Sequence, residues 1–303
     1  MPHHIAILGG SGFVGRHLTA RLLKEGHQLA ILSRRPRPSD CADDLQWLQI
    51  ADFTQSSLEE ALQSFDVVIN LIGILNESGH DGREFYALHE DLPRTLTAAC
   101  LAQGVGRLLH MSALGASADA LSHYQRSKAA GNQAIEALAG EKLAWTLIQP
   151  SVIFGPDDSL FMRFAALLKW LPVFPLACPQ ARFAPVWVGD VVELFVRCLQ
   201  DDSSHGRRVE VCGPQILTLK QIVEYAAKHS GRRRWVIPLG NKLSLLQAHV
   251  MEYLPGKPFS LDNYRSAQRD NVCDPSSTAL NLSKMGIEPT PLDQVMPQAL
   301  AQQ

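Results

Sequence analysis

The sequence has no strong excess of either charge. Its 28 lysines and arginines nearly balance its 30 aspartates and glutamates, which leaves a formal net charge of -2. Because non-specific nucleic-acid binding depends on a large positive charge, we expect no nucleic-acid partner. Long apolar runs are also missing, since none reaches the roughly 18 residues that a membrane-spanning helix needs. The 46% of apolar residues is instead typical of a globular enzyme.

Cysteine is scarce and irregularly spaced. The six cysteines stand at positions 41, 100, 178, 198, 212 and 273, and no two of them form a C-x-x-C pair. This spacing suits neither a disulfide framework nor a zinc site. We therefore expect free thiols, no metal and a reducing compartment, the cytoplasm.

Short apolar runs alternate with helix-length amphipathic stretches over the first 150 residues. We predict strands over 4–8, 28–33, 45–50, 66–71, 107–111 and 144–149, and helices over 14–24, 57–62, 84–103 and 124–139. Such alternation is typical of βαβ units. The sequence therefore predicts an α/β fold: a Rossmann doubly wound parallel sheet with a smaller C-terminal substrate-side domain.

Beyond Pro150 this pattern loosens and prolines cluster. We predict a nucleotide-binding Rossmann domain over 1–155 and a mainly substrate-side domain over 156–303. Two strand-like runs, 184–188 and 208–212, suggest that 184–212 returns to the Rossmann sheet. A further helix is predicted over 219–229.

A glycine-rich turn directly follows the first predicted strand. Gly9, Gly12 and Gly15 have G-x-x-G-x-x-G spacing at the start of a predicted helix. The first glycine allows a tight turn, the second lets the backbone approach a pyrophosphate, and the third lets helix and strand pack closely. The helix N-terminus then offers free N–H groups to phosphate. A turn that needs small residues for packing alone is the alternative, and the five further predicted strands favour the dinucleotide site.

Arginine, rather than a carboxylate, follows the second predicted strand. NAD sites usually place an acidic residue about 20 positions after the glycines, on the ribose 2′-OH, but none occurs between Arg34 and Ser39. Arg34 is suited to pair with a 2′-phosphate and to stack on adenine. We therefore expect NADP(H), with NAD(H) as the alternative. Asp52 has two readings, an acceptor for the adenine amino group or a helix cap.

Tyr124 and Lys128 are four residues apart, so they share one face of a predicted helix. Ser112 follows the fifth predicted strand, at the edge where parallel sheets place ligands. A lysine ammonium and a positive nicotinamide both favour phenolate, so we expect them to lower the pKa of Tyr124 from about 10. Such a tyrosine exchanges a proton with a substrate oxygen, while Lys128 holds ribose hydroxyls and Ser112 binds the substrate oxygen. An exposed helix pair without a role is the alternative.

Several other features have two readings. The apolar stretches 161–178 and 243–254 suit core packing, or else an apolar substrate cleft or membrane-facing patch. The run 232–235 (RRRW) suits a solvated strand edge, or else a site for an anionic headgroup or a partner. His110 and His123 are expected to be hydrogen-bonded structural histidines.

Together these residues resemble the short-chain dehydrogenase/reductase superfamily. The glycine turn, Asp52, the stretch 70–73, Ser112 and the Tyr124/Lys128 pair occur in that family's order. The longer C-terminal part is similar to the extended and atypical, epimerase-like branches. Stretches 110–116, 126–128, 154–157 and 182–191 are similar to the group that includes the dehydrogenase-like accessory subunit of respiratory complex I.

The resemblance implies a set of cofactor contacts. Around the glycine turn and the adenosine they are Gly9, Ser11, Gly12, Phe13, Val14 and Gly15 for phosphate, Arg34 for the 2′-phosphate, and Asp52 and Phe53 for adenine. On the nicotinamide side they are Leu71, Ile72, Gly73, Tyr124, Lys128, Pro150, Val152 and Ile153.

Two functions follow from this resemblance. The first is an NADP(H)-dependent oxidoreductase, or a related epimerase-like enzyme that modifies a sugar or lipid, acting through Tyr124, Lys128 and Ser112. Its substrate is a small molecule with a carbonyl or hydroxyl, and an apolar quinone or lipid is one reading of it. The second is a non-catalytic, NADPH-holding structural or assembly factor linked to a respiratory complex or to ubiquinone metabolism. Either would suit a peripheral position at the inner face of a membrane.

Overall fold

A computed structural model describes residues 2–39 and 45–301 of the chain. Cys41, one of the cysteines predicted to be free, lies outside these residues. The strands are β1 (His4–Leu8), β2 (Gln28–Ser33), β3 (Gln46–Gln49), β4 (Val67–Asn70), β5 (Arg107–Met111), β6 (Ala144–Pro150), β7 (Ile153–Phe154), β8 (Val173–Leu176), β9 (Arg182–Phe183), β10 (Val186–Trp187), β11 (Arg207–Val211), β12 (Leu217–Thr218), β13 (Trp235–Pro238) and β14 (Leu280–Asn281).

The helices are α1 (Phe13–Lys24), α2 (Gln55–Ala61), α3 (Arg83–Tyr86), α4 (Leu92–Ala102), α5 (His123–Ala139), α6 (Phe161–Trp170), α7 (Val188–Gln200), α8 (Leu219–His229), α9 (Asn241–Met251), α10 (Leu261–Ser266) and α11 (Leu292–Ala301). A π-helical turn, Ala87–Asp91, joins α3 to α4, and 3-10 turns cover Asp202–Ser204 and Ser283–Met285. Among the helices of the described part of the chain, none is both long and apolar enough to cross a bilayer.

Eight strands form one sheet in the order β14-β11-β6-β5-β4-β1-β2-β3. All the pairs in this sheet are parallel. The chain passes from β1 outward to β2 and β3, then returns to β4 on the other side of β1, so the strand order reverses at β1. This is the doubly wound α/β arrangement that the sequence predicts, and the fold prediction is confirmed.

Helices cover both faces of the sheet, which is why β1 is apolar at every central position. Ile5, Ile7 and Leu8 are fully buried. On one face, α1 and α7 pack on the sheet through residues such as Leu18 and Phe195. On the other face, α2, α4 and α5 pack through residues such as Leu58, Leu96 and Ile135. The carboxyl ends of the strands therefore open at one edge, between two helical layers.

A second group of elements, which we call the small lobe, consists of α6, α8, α9, α10 and α11 with the ribbon of β8 and β13. Its core packs Phe161 and Ala165 of α6 against Ile222 of α8 and Met296 of α11. The strand predicted over 184–188 is reduced to β10, which pairs with β7 and not with the large sheet. The boundary predicted near residue 155 stays a prediction.

One cysteine pair contradicts the prediction of free thiols. Cys212 and Cys273 form a disulfide across 61 residues, while Cys100, Cys178 and Cys198 are free and buried. Cys212 directly follows β11, whose last residue accepts a hydrogen bond from the backbone N–H of Ser151. Asn271, two residues before Cys273, accepts a hydrogen bond from the hydroxyl of the same Ser151. Ser151 thus brings two distant segments to one edge of the sheet, and spacing along the chain cannot reveal such a pairing.

Candidate functional site

The glycine turn lies in the crevice where the strand order reverses, between the carboxyl ends of β1 and β4. Gly9 has a φ of +82°, in the left-handed region that favours glycine. A Cβ on Gly9 would also lie 3.1 Å from the backbone nitrogen of Ile72, which follows β4. A Cβ on Gly15 would collide with the carbonyl oxygen of Gly9. Glycine at these two positions therefore lets the turn, α1 and the segment after β4 meet at one point.

The N-terminus of α1 is free to bind an anion. Gly12 stands at its N-cap, where no side chain of the described residues accepts a hydrogen bond from the first turn, and that turn contains no acidic residue. In contrast, side chains of Thr54, Ser122, Thr218 and Ser260 cap α2, α5, α8 and α10. The first N–H groups of α1 and its partial positive charge are thus available to a phosphate.

Arg34 and Phe53 lie together beyond the ends of their strands. The guanidinium carbon of Arg34 is 4.9 Å from the centre of the Phe53 ring, a cation–π contact, and the side chain is exposed. Nearby, one carboxylate oxygen of Asp52 accepts hydrogen bonds from the hydroxyls of Thr54 (2.7 Å) and Ser57 (2.8 Å). These bonds lower the pKa of Asp52, with that from Thr54 the largest cause. Asp52 therefore helps to start α2, and its adenine contact stays a prediction.

Lys128 is buried where three segments converge. Its ammonium donates a hydrogen bond of 3.1 Å to the carbonyl oxygen of Met111, the peptide that leads into Ser112. A Cβ on Gly73 would lie 3.2 Å from the same ammonium nitrogen. The ends of β4 and β5 thus meet α5 at this lysine, which brings together Gly73, Ser112 and Lys128, three of the predicted site residues. Burial lowers the pKa of Lys128 to about 8.

Tyr124 lies one turn before Lys128 on the same face of α5. Its ring meets Phe85 and His89 edge to face, with ring centres 6.0 and 5.5 Å apart. Burial raises the pKa of Tyr124 to about 12. This direction is opposite to the expected lowering, because the loss of solvation on burial is the cause that acts on this phenol.

Ser112 has a buried hydroxyl that lacks a partner. Its side chain is only 4% exposed, and its Oγ has no hydrogen bond within the described chain. Its backbone N–H donates to the carbonyl oxygen of Ile148 (2.8 Å), so the position of the residue is fixed by the sheet. Nearly all buried polar groups in proteins are hydrogen-bonded. An orphaned hydroxyl at the carboxyl end of β5 is therefore suited to receive a polar atom of a ligand.

Two neutral histidines fix the segment after β4. The amide nitrogen of Asn70 donates to Nδ1 of His110 (3.1 Å), and its amide oxygen accepts from the backbone N–H of Ile72 (3.0 Å). His89 accepts from the N–H of Ile74 through Nε2 (3.0 Å). Burial, and then the charge of Lys128, lower the pKa of His89 to about 2. The structural role predicted for His110 is confirmed, whereas His89 had not been singled out from the sequence.

Asp262 is a further residue that sequence reasoning missed. It lies on α10, is 7% exposed, and its two carboxylate oxygens accept from the backbone N–H groups of His123 (2.6 Å) and Tyr124 (3.1 Å). A carboxylate at this position complements the partial positive charge of the α5 N-terminus. The small lobe thereby holds the first turn of the helix that carries Tyr124. Asp262 lies in the first turn of its own helix, α10, so nothing in the sequence marks it as a cap for α5.

The segment 150–153 forms the remaining side of the crevice. The carbonyl oxygen of Pro150 accepts from the N–H of Leu114 (2.9 Å), and that of Val152 accepts from Val186 (3.0 Å). A Cβ on Gly155, just beyond, would lie 3.3 Å from the Phe13 ring, so this segment also adjoins the glycine turn. Across residues 2–39 and 45–301, no three histidine, cysteine, aspartate or glutamate side chains come together as a metal site.

The buried Lys128 predicts a pH dependence of stability. Because folding lowers its pKa from 10.5 to about 8, the unfolded chain holds a proton between these values that the folded chain lacks. The free energy of unfolding of wild type, relative to Lys128→Met, should therefore rise with pH across this window, by up to about 3 kcal/mol. Urea unfolding at about pH 8, 9 and 10 measures the difference. The exposed Lys142→Met is the control, and a Lys128 difference as flat as that of the control would contradict the prediction.

Known proteins resemble this chain in sequence and in fold. A family model described as the NAD dependent epimerase/dehydratase family matches residues 5–212. NADH dehydrogenase (ubiquinone) 1 alpha subcomplex subunit 9, mitochondrial, of Mus musculus is 28% identical over 301 residues, which cover 95% of this chain and 77% of that protein. Ceramide reductase of Caulobacter vibrioides is 29% identical over 194 residues, 63% of this chain and 59% of that protein.

A UDP-glucose 4-epimerase structure from Thermotoga maritima matches the fold with a TM-score of 0.76 at 14% identity, covering 98% of this chain and 96% of that one. The match over residues 5–212 spans the glycine turn, Ser112, Tyr124 and Lys128. The predicted resemblance to the extended, epimerase-like branch is confirmed. The chain belongs to the NAD dependent epimerase/dehydratase family.

Proposed function

We propose that this chain is an NADP(H)-dependent oxidoreductase that interconverts a carbonyl and a hydroxyl on an apolar substrate. The observation that carries the proposal is the buried, unpartnered hydroxyl of Ser112. It directly follows the Met111 carbonyl that binds the Lys128 ammonium. A substrate oxygen placed against Ser112 would therefore lie beside the face of α5 that carries Tyr124 and Lys128.

The crevice has features that fit a dinucleotide. The uncapped N-terminus of α1 suits a pyrophosphate. The side of Gly12 on which a Cβ would stand faces only one neighbouring atom, the carbonyl oxygen of Gly9, at 3.2 Å from that position. Arg34, exposed and stacked on Phe53, suits a 2′-phosphate and an adenine ring. The nicotinamide end would lie along 71–73 and 150–153, with Lys128 close enough to Gly73 to hold ribose hydroxyls.

Each catalytic side chain then has one task. The nicotinamide, when bound, supplies or accepts the hydride. Ser112 donates a hydrogen bond to the substrate oxygen, and Tyr124 gives that oxygen its proton during reduction. In the reverse direction Tyr124 accepts the proton, which requires its pKa to fall from the raised value that burial gives it. The ammonium of Lys128 is the group on α5 that favours this change.

An apolar substrate is supported by the small lobe and by the relatives. Phe259 and Tyr264, on either side of Asp262, pack with Phe183 against the buried stretch around Ala177 and Ala181. The wall that holds the first turn of α5 is therefore apolar. One relative is called a ceramide reductase and another a subunit of NADH dehydrogenase (ubiquinone). We propose a lipid-like or quinone carbonyl as substrate, and a position at the inner face of a membrane, with or without a respiratory complex.

A second candidate function is supported by the similarity to the mouse protein. That relative is a subunit of a larger complex by name, and the similarity extends over 95% of this chain. In this alternative the chain holds NADPH as a structural or assembly factor and does not turn it over. Both functions need the crevice, so cofactor binding does not separate them, whereas turnover does.

Arg34→Ala tests the choice of cofactor. Loss of the charge-assisted contact should weaken NADPH binding by about 10- to 100-fold, and NADH binding, which loses only the stacking on adenine, by much less. Calorimetric titration of both cofactors against wild type and variant measures this, with the neighbouring exposed Arg35→Ala as control. Equal affinity of the two cofactors for wild type, or a loss of NADPH binding in Arg35→Ala alone, would overturn the assignment to Arg34.

Tyr124→Phe tests turnover. Removal of the proton donor should lower the rate of NADPH oxidation by about 10²- to 10⁴-fold while NADPH affinity changes little. The rate is measured by absorbance with a short-chain ubiquinone and a long-chain keto lipid as substrates, and the exposed Tyr253→Phe serves as control. If wild type binds NADPH but oxidises none with any such carbonyl, the holding function replaces the enzymatic one.

A further inference from the structure

The ribbon of β8 and β13 exposes apolar side chains on its outer side. The two strands are parallel, with Trp235 opposite Val173 and Ile237 opposite Pro175. Trp235 is 77% exposed, and Ile237 and Val173 are also exposed. The alternate residues, such as Phe174 and Val236, face inward and pack on the core between α6 and α8. The ribbon is thus apolar on both sides, although only its inner side is covered.

Helix α9 is also apolar on its open side. Its buried positions are Ser244 and Ala248, one turn apart, and the Ser244 hydroxyl accepts a hydrogen bond from the N–H of Cys178, just beyond β8 (3.1 Å). Leu243, Leu246 and Val250, at i, i+3 and i+7, form a stripe that is more than half exposed. An ordinary surface helix buries its apolar stripe and exposes its small and polar residues. The stripe on α9 therefore indicates a surface that something else covers.

The ribbon and α9 are joined by hydrogen bonds. The N–H of Leu239 donates to the carbonyl oxygen of Leu176 (3.0 Å), where β8 and β13 both end. The side-chain amide of Gln247 on α9 donates to the carbonyl oxygen of Pro175 (3.1 Å). Trp170, 79% exposed at the end of α6, stands at the other end of the ribbon. We call the exposed side chains of Trp170, Val173, Trp235, Ile237 and the α9 stripe the apolar face.

Positive charge surrounds this apolar face. The two stretches that build it, 161–176 and 230–251, contain six lysines and arginines and no aspartate or glutamate, although acidic residues slightly outnumber basic ones in the whole chain. Lys169, Arg233 and Lys242 are exposed, and no carboxylate of the described residues lies within 4 Å of them as an ion pair. The charge asymmetry is therefore local to this face.

The arginine run at 232–234 divides into two roles. The guanidinium of Arg234 donates to the carbonyl oxygen of Leu168 (2.7 Å) and that of Arg232 to Ala165 (3.3 Å), so both hold the last turns of α6. Exposure alternates along this strand, and Arg233 is exposed together with Trp235 and Ile237. Of the two readings of this run from the sequence, the structure supports a structural role for two arginines and an outward cation for the third.

We propose that the apolar face docks on the surface of a membrane that contains anionic phospholipids. Tryptophan is the side chain best suited to the interface between acyl chains and headgroups, because its ring is apolar and its N–H is polar. A bilayer offers acyl chains to the leucine stripe and phosphates to the cations around it. A second copy of this chain would instead bring like charges together in a symmetric contact.

Docking in this way would bring the membrane close to the candidate site, and this step rests on the proposed function. The end of α9 holds the segment after Gly73, because Glu252 pairs with His80 at 3.1 Å and the ring of Tyr253 lies 5.3 Å from that of His80. The helix that carries the leucine stripe is thus tied to one side of the crevice. A lipid-like substrate could then enter from the bilayer.

Vesicle flotation with the full chain tests the docking surface. We expect wild type to float with vesicles of phosphatidylcholine mixed with phosphatidylglycerol, and at least about tenfold less with phosphatidylcholine alone. The double variant Trp170→Ser/Trp235→Ser should lose binding by at least about tenfold. The variant Lys169→Glu/Arg233→Glu/Lys242→Glu loses three positive charges, each of which contributes about fivefold, so its binding should be weaker by at least about 100-fold. Leu138→Ser, an exposed leucine on α5, is the matched control and should bind as wild type does.

Several outcomes would overturn the proposal. The first is that wild type does not float with vesicles, and the second is that it floats equally with both kinds of vesicle. The third is that Leu138→Ser loses as much vesicle binding as Trp170→Ser/Trp235→Ser does. Sedimentation without lipid provides the remaining arm: a wild-type dimer that Trp170→Ser/Trp235→Ser converts to a monomer would assign the face to a second copy. Thermal unfolding confirms that each variant is folded. Because flotation needs neither cofactor nor turnover, docking and the proposed oxidoreductase activity succeed or fail separately.

Discussion

The backbone of Gly9 lies against the backbone of Leu71 and Ile72 with no room for a side chain between them, and the rest of the site depends on this approach. It is possible because β1 and β4 are neighbouring parallel strands whose carboxyl ends coincide, and the N–H of Leu71 donates to the oxygen of Leu8 (2.9 Å). The N-terminus of α1 is thereby aimed along the crevice that Lys128 and Ser112 border. A Cβ at Gly9 would strain its left-handed backbone and press on the segment after β4.

The buried polar groups of this site lower the free energy of unfolding of the chain. Lys128 is buried with a backbone carbonyl as its hydrogen-bond acceptor, and the Ser112 hydroxyl has no partner within the described chain. Each such group lowers the free energy of unfolding unless a ligand satisfies it. The fully buried strands of the sheet offset this cost. Asp262 links the same helix to the small lobe, so the lobe with the proposed docking surface also holds the turn that carries Tyr124.

Local sequence determined what could be predicted. The glycine turn, the alternation of strands and helices, and the shared face of Tyr124 and Lys128 depend on spacings within a few residues. What could not be predicted depends on contacts between distant parts of the chain. Asp262 reaches α5 from 138 residues away, and Cys212 meets Cys273 through segments that Ser151 joins. The raised pKa of Tyr124 likewise needs neighbours from α3 and the π-helical turn, and the open side of α9 is visible only once its buried side is known.

A crystal structure of the chain with NADPH tests the central claim most directly, because it locates every part of the cofactor at once. The account predicts pyrophosphate oxygens about 3 Å from the backbone nitrogens of Phe13 and Val14, because the N–H of Gly12 already donates to the carbonyl oxygen of Gly9. It also predicts the 2′-phosphate on Arg34 and the nicotinamide between Gly73 and Tyr124. A dinucleotide bound elsewhere, or a crevice without NADPH at saturating concentration, would contradict the account.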